Sequence, residues 1–305
     1  PRVSINIFNY CIKRFHFYFD LSNCHSVTSI VFINRLGNSM KKIDLGHLNG
    51  DILIFGGVYS NLHALEAFIN YTINLGISAK NVICTGDIVA YCAYAEDSVK
   101  LIREFGCHVL AGNCERQLAI KSDDCGCGFE EGSMCSLLSK SWYAHARSQI
   151  SNSSIDWMSD LPERIIFENN GSRYGVIHGG ASDISKFVWP TDAEKVLEDE
   201  FNLLQKQIGY VDCVIAGHTG IPMKRDFNKK KWLNPGAIGL PANDGDIDTN
   251  FLTINKKMII NNKLEYDINS AYQAMQATSL IQGYHSTLKT GYWPSQETLP
   301  LSMRV

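Results

Sequence analysis

The chain has 305 residues, of which 45% are hydrophobic and 19% are charged, a composition that supports a large buried core. Its 28 Lys and Arg residues nearly balance 31 Asp and Glu residues, so the net charge gives no reason to expect a nucleic-acid polymer as a partner. No run of 18 uncharged apolar residues occurs, and we therefore expect no membrane span. Ten cysteines in a chain of this length indicate reduced thiols of a cytoplasmic protein rather than a small disulfide-stapled fold.

The first 44 residues form a segment of uncertain status. They are rich in aromatic residues and Asn, and Lys13, Arg14 and His16 interrupt any apolar core of a signal peptide. Because Met40 lies downstream, we expect the native protein to begin near it and residues 1–44 to be an N-terminal extension. An amphipathic segment at a membrane surface is the alternative interpretation.

Residues 45–260 show strands that alternate with helices. Apolar runs predict strands, helical spacing of apolar residues predicts helices, and the alternation predicts a mainly parallel sheet with helices on both faces. The predicted strands are Ile52–Phe55, Val82–Thr85, His108–Ala111, Tyr174–Ile177 and Cys213–Ala216, and the predicted helices include Leu62–Leu75 and Asp97–Phe105. We predict that residues 261–305 form a tail that packs on this domain and borders the substrate cleft.

Four polar side chains follow these strands. Asp87, Asn113, His178 and His218 each come after a predicted strand, where open α/β sheets place their ligands. Carboxylate and amide oxygens with two imidazoles suit Mn, Fe, Zn or Ni better than Ca or a thiolate cluster. Each residue alone could be a turn, helix-cap or core residue, but four at successive strand ends favour a metal site.

The motifs around these residues resemble those of the calcineurin-like metallophosphoesterases. Five short motifs occur in the order that is typical of that family, followed by a loop that is similar to its terminal N-P-G-S-x-G loop. These segments are Gly57–Asn61, Gly86–Tyr91, Gly112–Glu115, His178–Gly179, Gly217–Gly220 and Asn234–Pro241. The resemblance implies a four-layer α/β/β/α sandwich over residues 45–260 and hydrolysis of a phosphoester or phosphoanhydride bond.

By the same resemblance, Asp87, Asn113, His178 and His218 form one complete metal site, in which Asp87 and Asn113 also act in catalysis. Cys114 stands where the family has its general-acid histidine. Asn234 and Gly236 are expected to bind phosphate or substrate. Tyr59 is expected either to place its phenol on a metal or phosphate or to fill the volume left by the absent ligand. The other metal site of the family lacks its ligands, because Gly57, Tyr59 and Gly220 replace them. A standard second ion is therefore not expected.

The cysteines suggest how the altered centre could have been rebuilt. Cys92, Cys114, Cys125, Cys127 and Cys135 lie in or shortly after the second and third motifs. One hypothesis is that they supply thiolates near the vacated position, as an additional metal or thiol site. The other is that they are buried small hydrophobes, as free cysteines usually are.

The leading functional prediction is a metal-dependent hydrolase acting on a small phosphorylated molecule or a nucleotide. A catalytically inactive module that binds nucleotide or phosphate is one alternative, and a cysteine-containing metal or redox protein on the same scaffold is another. No membrane partner is expected, and a homo-oligomer is compatible with the sequence. The sequence does not choose the substrate.

Overall fold

The computed structural model describes residues 40–256, 258–278, 280 and 283–305. Most of the predicted N-terminal extension, with Cys11 and Cys24, lies outside the described residues. The strands of the described part are β1 Lys42–His47, β2 Ile52–Phe55, β3 Val82–Cys84, β4 His108–Val109, β5 Arg164–Asn169, β6 Ser172–Ile177, β7 Cys213–Ala216, β8 Met223–Phe227, β9 Lys230–Asn234, β10 Thr249–Asn255 and β11 Met258–Leu264. Its α-helices are α1 Leu62–Asn74, α2 Ala95–Phe105, α3 Asn113–Ala119, α4 Met134–Gln149, α5 Asn152–Asp160, α6 Glu194–Ile208, α7 Ile268–Ala277 and α8 Tyr284–Thr290.

The strands form two sheets. The six-stranded sheet has the order β1-β5-β6-β7-β9-β8, and the five-stranded sheet has the order β11-β10-β2-β3-β4. Both sheets are mixed, because β10 pairs antiparallel with β2 and β11, β5 with β6, and β8 with β9. The five predicted strands do pair in parallel, as β2–β3–β4 in one sheet and β6–β7 in the other, and the antiparallel pairs that involve β5, β8, β10 and β11 make both sheets mixed.

The two sheets pack face to face and helices cover their outer faces. Apolar side chains from β2 and β3 meet those from β5, β6 and β7 in one buried cluster between the sheets. A second cluster lies under α1, α2 and α4, and a third lies between α6 and the six-stranded sheet. These layers confirm the predicted four-layer α/β/β/α sandwich. No helix in the described ranges is long and apolar enough to cross a membrane.

The predicted elements of the βα units are present, with shifts of a few residues at their ends. Helix α2 begins at Ala95 rather than Asp97, and β4 is only two residues long. The parallel pairs β2–β3 and β3–β4 place their carboxyl ends at one edge of their sheet, and β6–β7 does the same in the other sheet. The loops that follow β3, β4, β6 and β7 consequently carry the candidate site residues.

The C-terminal region folds back over the domain. Helix α7 contacts α1, and the indole Nε1 of Trp293 donates a hydrogen bond to the carbonyl of Pro241 at 2.8 Å. The backbone N–H of Trp293 donates to Asn243 Oδ1 at 2.8 Å. These bonds hold the tail against the loop that follows β9.

Candidate metal centre

Three of the candidate side chains converge on one atom of the fourth, Nε2 of His178. Asn113 Oδ1 and His218 Nδ1 each lie 3.1 Å from it, and Asp87 Oδ2 lies 3.2 Å from it. Ligands placed about 2.1 Å from a common ion at right angles to each other are about 3 Å apart. Loops after β3, β4, β6 and β7 therefore bring together a donor set with the spacing of a coordination sphere.

The hydrogen bonding of His178 is compatible with a cation among these atoms. Its Nδ1 lies 2.6 Å from the carbonyl oxygen of Thr85, so Nδ1 carries a hydrogen and donates it. Burial would lower the pKa of His178, but the Asp87 charge outweighs it and the pKa is raised, so a proton can occupy Nε2 when no metal is bound. In the neutral ring Nε2 has only a lone pair, which faces the oxygens of Asp87 and Asn113. Lone pairs repel at such distances unless a proton or a metal ion lies between them, so the donor set fits a bound cation.

The amide of Asn113 is held in the orientation that a metal ligand requires. Its Nδ2 donates to the carbonyl oxygen of Cys125 at 2.8 Å and to Cys127 Sγ at 3.3 Å, and it lies 3.6 Å from Cys114 Sγ. Because the nitrogen is committed to these acceptors, Oδ1 must face His178. The segment 125–127 thus acts as a support for one ligand.

The charges at the centre suit a metal as well. Burial alone would raise the pKa of Asp87, but the neighbouring His178 outweighs it and the pKa is lowered. Burial and the charge of His178 lower the pKa of His218 to about 4, so this ring is neutral at pH 7. An ionised carboxylate and a neutral imidazole are the forms that bind divalent ions.

Among the described residues, Asp87, His178 and His218 are the one group of three or more His, Cys, Asp or Glu residues whose donor atoms all lie within 4.8 Å of each other. Asp87 and His178 are buried and His218 is half-buried. Asp87 Oδ1 and His218 Nε2 are buried without a hydrogen-bond partner in the described part of the chain. Unpaired buried polar atoms are costly, and they mark this centre as built for something other than stability.

Glu115 holds the loop that carries Asp87. Its carboxylate accepts hydrogen bonds from four backbone N–H groups, those of Asp87, Ile88, Val89 and Gly112, at 2.8–3.2 Å. Burial and the charge of Asp87 raise its pKa to about 7, whereas the four donors favour the ionised form. Glu115 is fully buried and therefore acts as a fixed acceptor at the base of the centre.

Glu200 on α6 holds the loop that follows His178 in a similar way. Its carboxylate accepts from the backbone N–H groups of Ala181 and Ser182, from the Ser182 hydroxyl, and from Lys186 Nζ at 2.6 Å. The same loop brings the ring of Phe187 to 4.4 Å from the ring of His218. This loop also hydrogen-bonds the 125–127 segment, through the Ser185 hydroxyl and the Gly126 carbonyl.

The hold that Glu200 has on this loop should depend on pH. Burial alone would raise the pKa of Glu200, but the hydrogen bonds from Lys186 and Ser182 outweigh it and the pKa is lowered. A carboxyl with a lowered pKa stabilises the fold above its unfolded pKa of about 4.3, and the contribution is lost as pH falls through the folded value. We therefore expect Glu200→Gln to lower the free energy of unfolding by about 2 kcal/mol at pH 7 and by much less at pH 3.5.

Urea denaturation at both pH values measures this difference, with Glu198→Gln on the same helix as the control. An effect of Glu200→Gln that is equally large at pH 3.5 would show that the carboxylate charge does not hold the loop.

The space beside Gly57 and Gly220 is filled by protein atoms. A Cβ atom at Gly57 would lie 2.6 Å from Cε2 of Tyr59, and one at Gly220 would lie 3.0 Å from its hydroxyl oxygen. The Tyr59 ring therefore occupies the space into which side chains at positions 57 and 220 would project. Burial and the charge of Asp87 raise the pKa of Tyr59, so the phenol stays protonated and does not act as an anionic ligand.

A cleft opens above the centre and is lined mainly by aromatic and thiol side chains. It encloses about 50 Å³, which is room for only a few water molecules. Its lining includes the ligands Asp87 and His218, the thiols of Cys114, Cys127 and Cys135, and the rings of Tyr59, Tyr91, Phe129, Phe187, Tyr284 and Trp293. Within the part of the chain that is described, no Lys or Arg lines it.

The cysteines of the predicted thiol site are divided between several places. Cys125 lies behind the cleft wall with its Sγ 2.8 Å from that of Cys127, and Cys92 packs in the apolar core under the helices. Cys135 hydrogen-bonds Ser295 of the tail at 3.3 Å. Burial raises the pKa of Cys92, which keeps this thiol neutral. None of the five belongs to a compact group of three metal-binding side chains in the described residues.

Asn234 and Gly236 lie beside the centre without lining the cleft. Asn234 Nδ2 donates to the Gly217 carbonyl and to the Thr219 hydroxyl at 2.8 and 2.9 Å, and its Oδ1 accepts from the backbone N–H of Gly236. Gly236 has a φ of 75° and no space for a side chain, since a Cβ would lie 2.8 Å from that of Asn250. Both residues lie where they fix the His218 loop, and neither of them lines the cleft that a substrate would enter.

Sequence reasoning did not identify the residues that hold the ligands. Glu115 could have been recognised as a glutamate at the third helical position, which often returns to the N-cap backbone. Glu200, Thr85 and Phe187 lie far from the motifs, and only the three-dimensional fold brings them to the centre.

A model of the calcineurin-like phosphoesterase superfamily domain matches residues 52–257. Together with the fold and the placement of the motif residues, this match shows that the chain belongs to that superfamily, a class of phosphoester hydrolases that generally bind divalent metals.

Individual proteins are similar to this chain in sequence or in fold. The chain is 28% identical over 239 residues to an uncharacterized protein of Methanocaldococcus jannaschii, MJ0912, a match that covers 73% of this chain and 90% of the relative. The fold of the present chain is similar to that of a metallophosphoesterase from Sphaerobacter thermophilus, whose crystal structure matches with a TM-score of 0.61 and 18% identity. The match covers 80% of this chain and 100% of the other. The fold is also similar to the hypothetical protein PH1004 from Pyrococcus horikoshii OT3, with a TM-score of 0.66, 14% identity, and coverage of 81% and 100%.

Proposed function

We propose that this protein hydrolyses a phosphoester or phosphoanhydride bond of a small molecule, using one divalent ion held by Asp87, Asn113, His178 and His218. The observation that carries the proposal is the position of His178 Nε2, which faces two oxygen acceptors while Nδ1 donates to Thr85. An ion bound there supplies Lewis acidity, which neutralises phosphate charge and makes water a better nucleophile at neutral pH. The oxygen and nitrogen donors favour Mn, Fe, Zn or Ni.

The shape of the cleft supports a substrate that lies partly in an inner cleft and partly in an outer cavity. The inner cleft has room for a phosphoryl group, and it shares Phe129, Phe187 and Thr298 with an outer cavity of about 690 Å³. Glu130 and Glu131 line the outer cavity, with Arg304 also present. This carboxylate-rich lining repels long polyphosphate chains, so we propose a substrate with one phosphoryl group and an uncharged or cationic remainder. In this proposal the catalytic domain predicted at 45–260 also includes the ends of β1 and β11, which extend it to residues 42–264, and the following tail builds part of the cleft wall.

Cys114 lines the cleft at the position of the family's general acid. A hydrogen bond with Cys127 lowers the pKa of this thiol, but burial and the Asp87 charge outweigh it and the pKa is raised well above 9. A thiol with a raised pKa is protonated at pH 7 and donates its proton reluctantly. We therefore propose that the preferred substrates have leaving groups that depart without much help from an acid, such as aryl alcohols.

The direct test combines a metal analysis with an assay. The purified protein is loaded with Mn, Zn, Fe or Ni, dialysed, and analysed for metal, and hydrolysis of bis(p-nitrophenyl) phosphate is followed at pH 7–8. One ion per chain and metal-dependent release of nitrophenol are the expected results. An ion without turnover for any aryl ester or anhydride would support the non-catalytic binding module instead.

The thiol alternative has its own test. Because no thiol belongs to the compact donor set, we expect Cys125→Ser to keep one metal per chain, with the affinity changed less than about tenfold. Elemental analysis after dialysis measures this, and Cys92→Ser in the core is the matched control. Loss of the ion from the Cys125→Ser protein alone would favour a cysteine-based metal protein.

A further inference from the structure

We propose that the hydroxyl of Tyr59 takes the place of the absent second ion and donates a hydrogen bond to a phosphoryl oxygen of the bound substrate. This inference rests on the proposed function, since it assigns a catalytic residue for the same reaction. Three observations carry it: where the ring lies, the lack of a partner for its hydroxyl, and the way the residue is held.

The ring lies where the two lost ligands would project. Positions 57 and 220 bear glycine, and a Cβ at either position would approach the Tyr59 ring or its hydroxyl to 3.0 Å or less. The side chain of Ala237 closes the same space, since it would also meet a Cβ at Gly57 at 2.8 Å. The phenol therefore fills the former ion position, and restoring the ligands without removing the ring would cause overlap.

The hydroxyl is available to a ligand. It makes no hydrogen bond to any described residue, and Tyr59 lines the cleft together with Asp87 and His218. A phenol, with an ordinary pKa of about 10, carries its hydrogen at neutral pH and can donate it. An unpartnered donor beside the ligands of an ion is well placed for an oxygen of a group bound to that ion.

The backbone holds Tyr59 in a conformation that only a supported residue adopts. Its φ is 54°, an unusual value for a tyrosine and one that costs of the order of 1–3 kcal/mol. Its N–H donates to the carbonyl of Asp87 at 3.1 Å, and its carbonyl accepts from Cys92 at 3.0 Å. The ring of Tyr91 packs edge-on against it, with centroids 4.9 Å apart. Tyr59 is thus fixed relative to the Asp87 loop.

A fixed neutral donor can perform part of what an ion does. As water attacks phosphorus, charge is redistributed among the phosphoryl oxygens, and a preorganised hydrogen bond lowers the energy of that state. A hydrogen bond from Tyr59 stabilises this charge without the ligands that an ion requires. The proposal therefore explains why the losses at positions 57, 59 and 220 occur together.

The first experiment is Tyr59→Phe, which keeps the ring and removes the hydroxyl. We expect one metal ion per chain, as in the wild type, with kcat for bis(p-nitrophenyl) phosphate about 10²-fold lower and KM changed less than about threefold. Tyr71→Phe on α1, outside the cleft, is the matched control and should leave both constants unchanged. A wild-type kcat in the Tyr59→Phe protein with its full metal content would overturn the inference while leaving the proposed hydrolase activity intact.

The second experiment counts ions and does not depend on turnover. Gly57→Asp, Tyr59→His and Gly220→His together restore the family ligands, and we expect two ions per folded chain by elemental analysis. The pair Gly57→Asp and Gly220→His, with Tyr59 retained, should bind one ion or lose thermal stability. Two ions in that pair would show that the ring does not occupy the position. No turnover by metal-loaded wild-type protein would instead contradict the proposed function, and the catalytic role of Tyr59 with it.

Discussion

Asp87→Ala should yield a folded protein that retains no metal after dialysis and has lost at least about 10³-fold in kcat/KM. Asp87 is the one carboxylate of the compact donor set, and its Oδ2 lies 3.2 Å from His178 Nε2. Without it, a divalent ion would be held by three neutral ligands and would exchange readily into water. The Lewis acidity of a bound ion is worth several kcal/mol in the transition state, which corresponds to at least three powers of ten in rate.

The control for this variant is Asp156→Ala, an exposed aspartate on α5 that should keep both metal and activity. His178→Ala should behave like Asp87→Ala, because it removes the ring on which the other donors converge. Elemental analysis, initial rates and far-UV circular dichroism are measured on the same preparations. Unchanged hydrolysis in both ligand variants would show that the activity does not arise at this centre.

Among substitutions that keep the shape of the side chain, Glu115→Gln should be one of the most destabilising in this protein. Oε2 accepts from the N–H groups of Asp87 and Gly112, and Oε1 from those of Ile88 and Val89. An amide replaces one of these acceptor oxygens with an N–H₂ group, so two buried N–H donors lose their partner and face another donor. At about 1–3 kcal/mol for each unpaired group, the free energy of unfolding should fall by about 3 kcal/mol or more.

Urea denaturation at pH 7 measures this change, and Glu131→Gln, an exposed residue, is the matched control. Because the same loop carries Asp87, the metal affinity of Glu115→Gln should also fall by about 10–100-fold. A variant with wild-type stability and affinity would show that the four N–H groups find other partners, and that Glu115 does not organise the centre.

The sequence predicts the candidate ligands better than it predicts the residues that hold them in place. Strand ends and motif spacing were sufficient to predict that Asp87, Asn113, His178 and His218 lie together, because parallel strands with connected loops bring such positions together. The same patterns did not predict the mixed direction of the strands, since short antiparallel partners such as β8 have no distinct periodicity. Supports such as Glu200 could not be predicted either, because a buried glutamate on an amphipathic helix looks like a surface residue until its neighbours are known.

Tyr59 illustrates another limit of the sequence. Its alignment with a lost ligand was visible in the motif, but the space around Gly57 and Gly220 was not. When a ligand side chain is replaced by glycine, its space can stay empty or be filled by another side chain. Which of the two occurs here depends on the paths of three separate loops. Those paths follow from contacts between residues more than 150 positions apart, which local patterns do not record.

The tail between α8 and the C terminus forms part of the cleft wall, through Trp293, Ser295 and Thr298. The four candidate ligands all lie within the region that matches the superfamily, whereas these wall residues lie beyond it. The candidate ligands and this part of the cleft wall therefore come from separate stretches of the chain. In the proposed hydrolase, exchange of the tail between relatives should alter which molecules fit the cleft while the candidate ligand set stays intact.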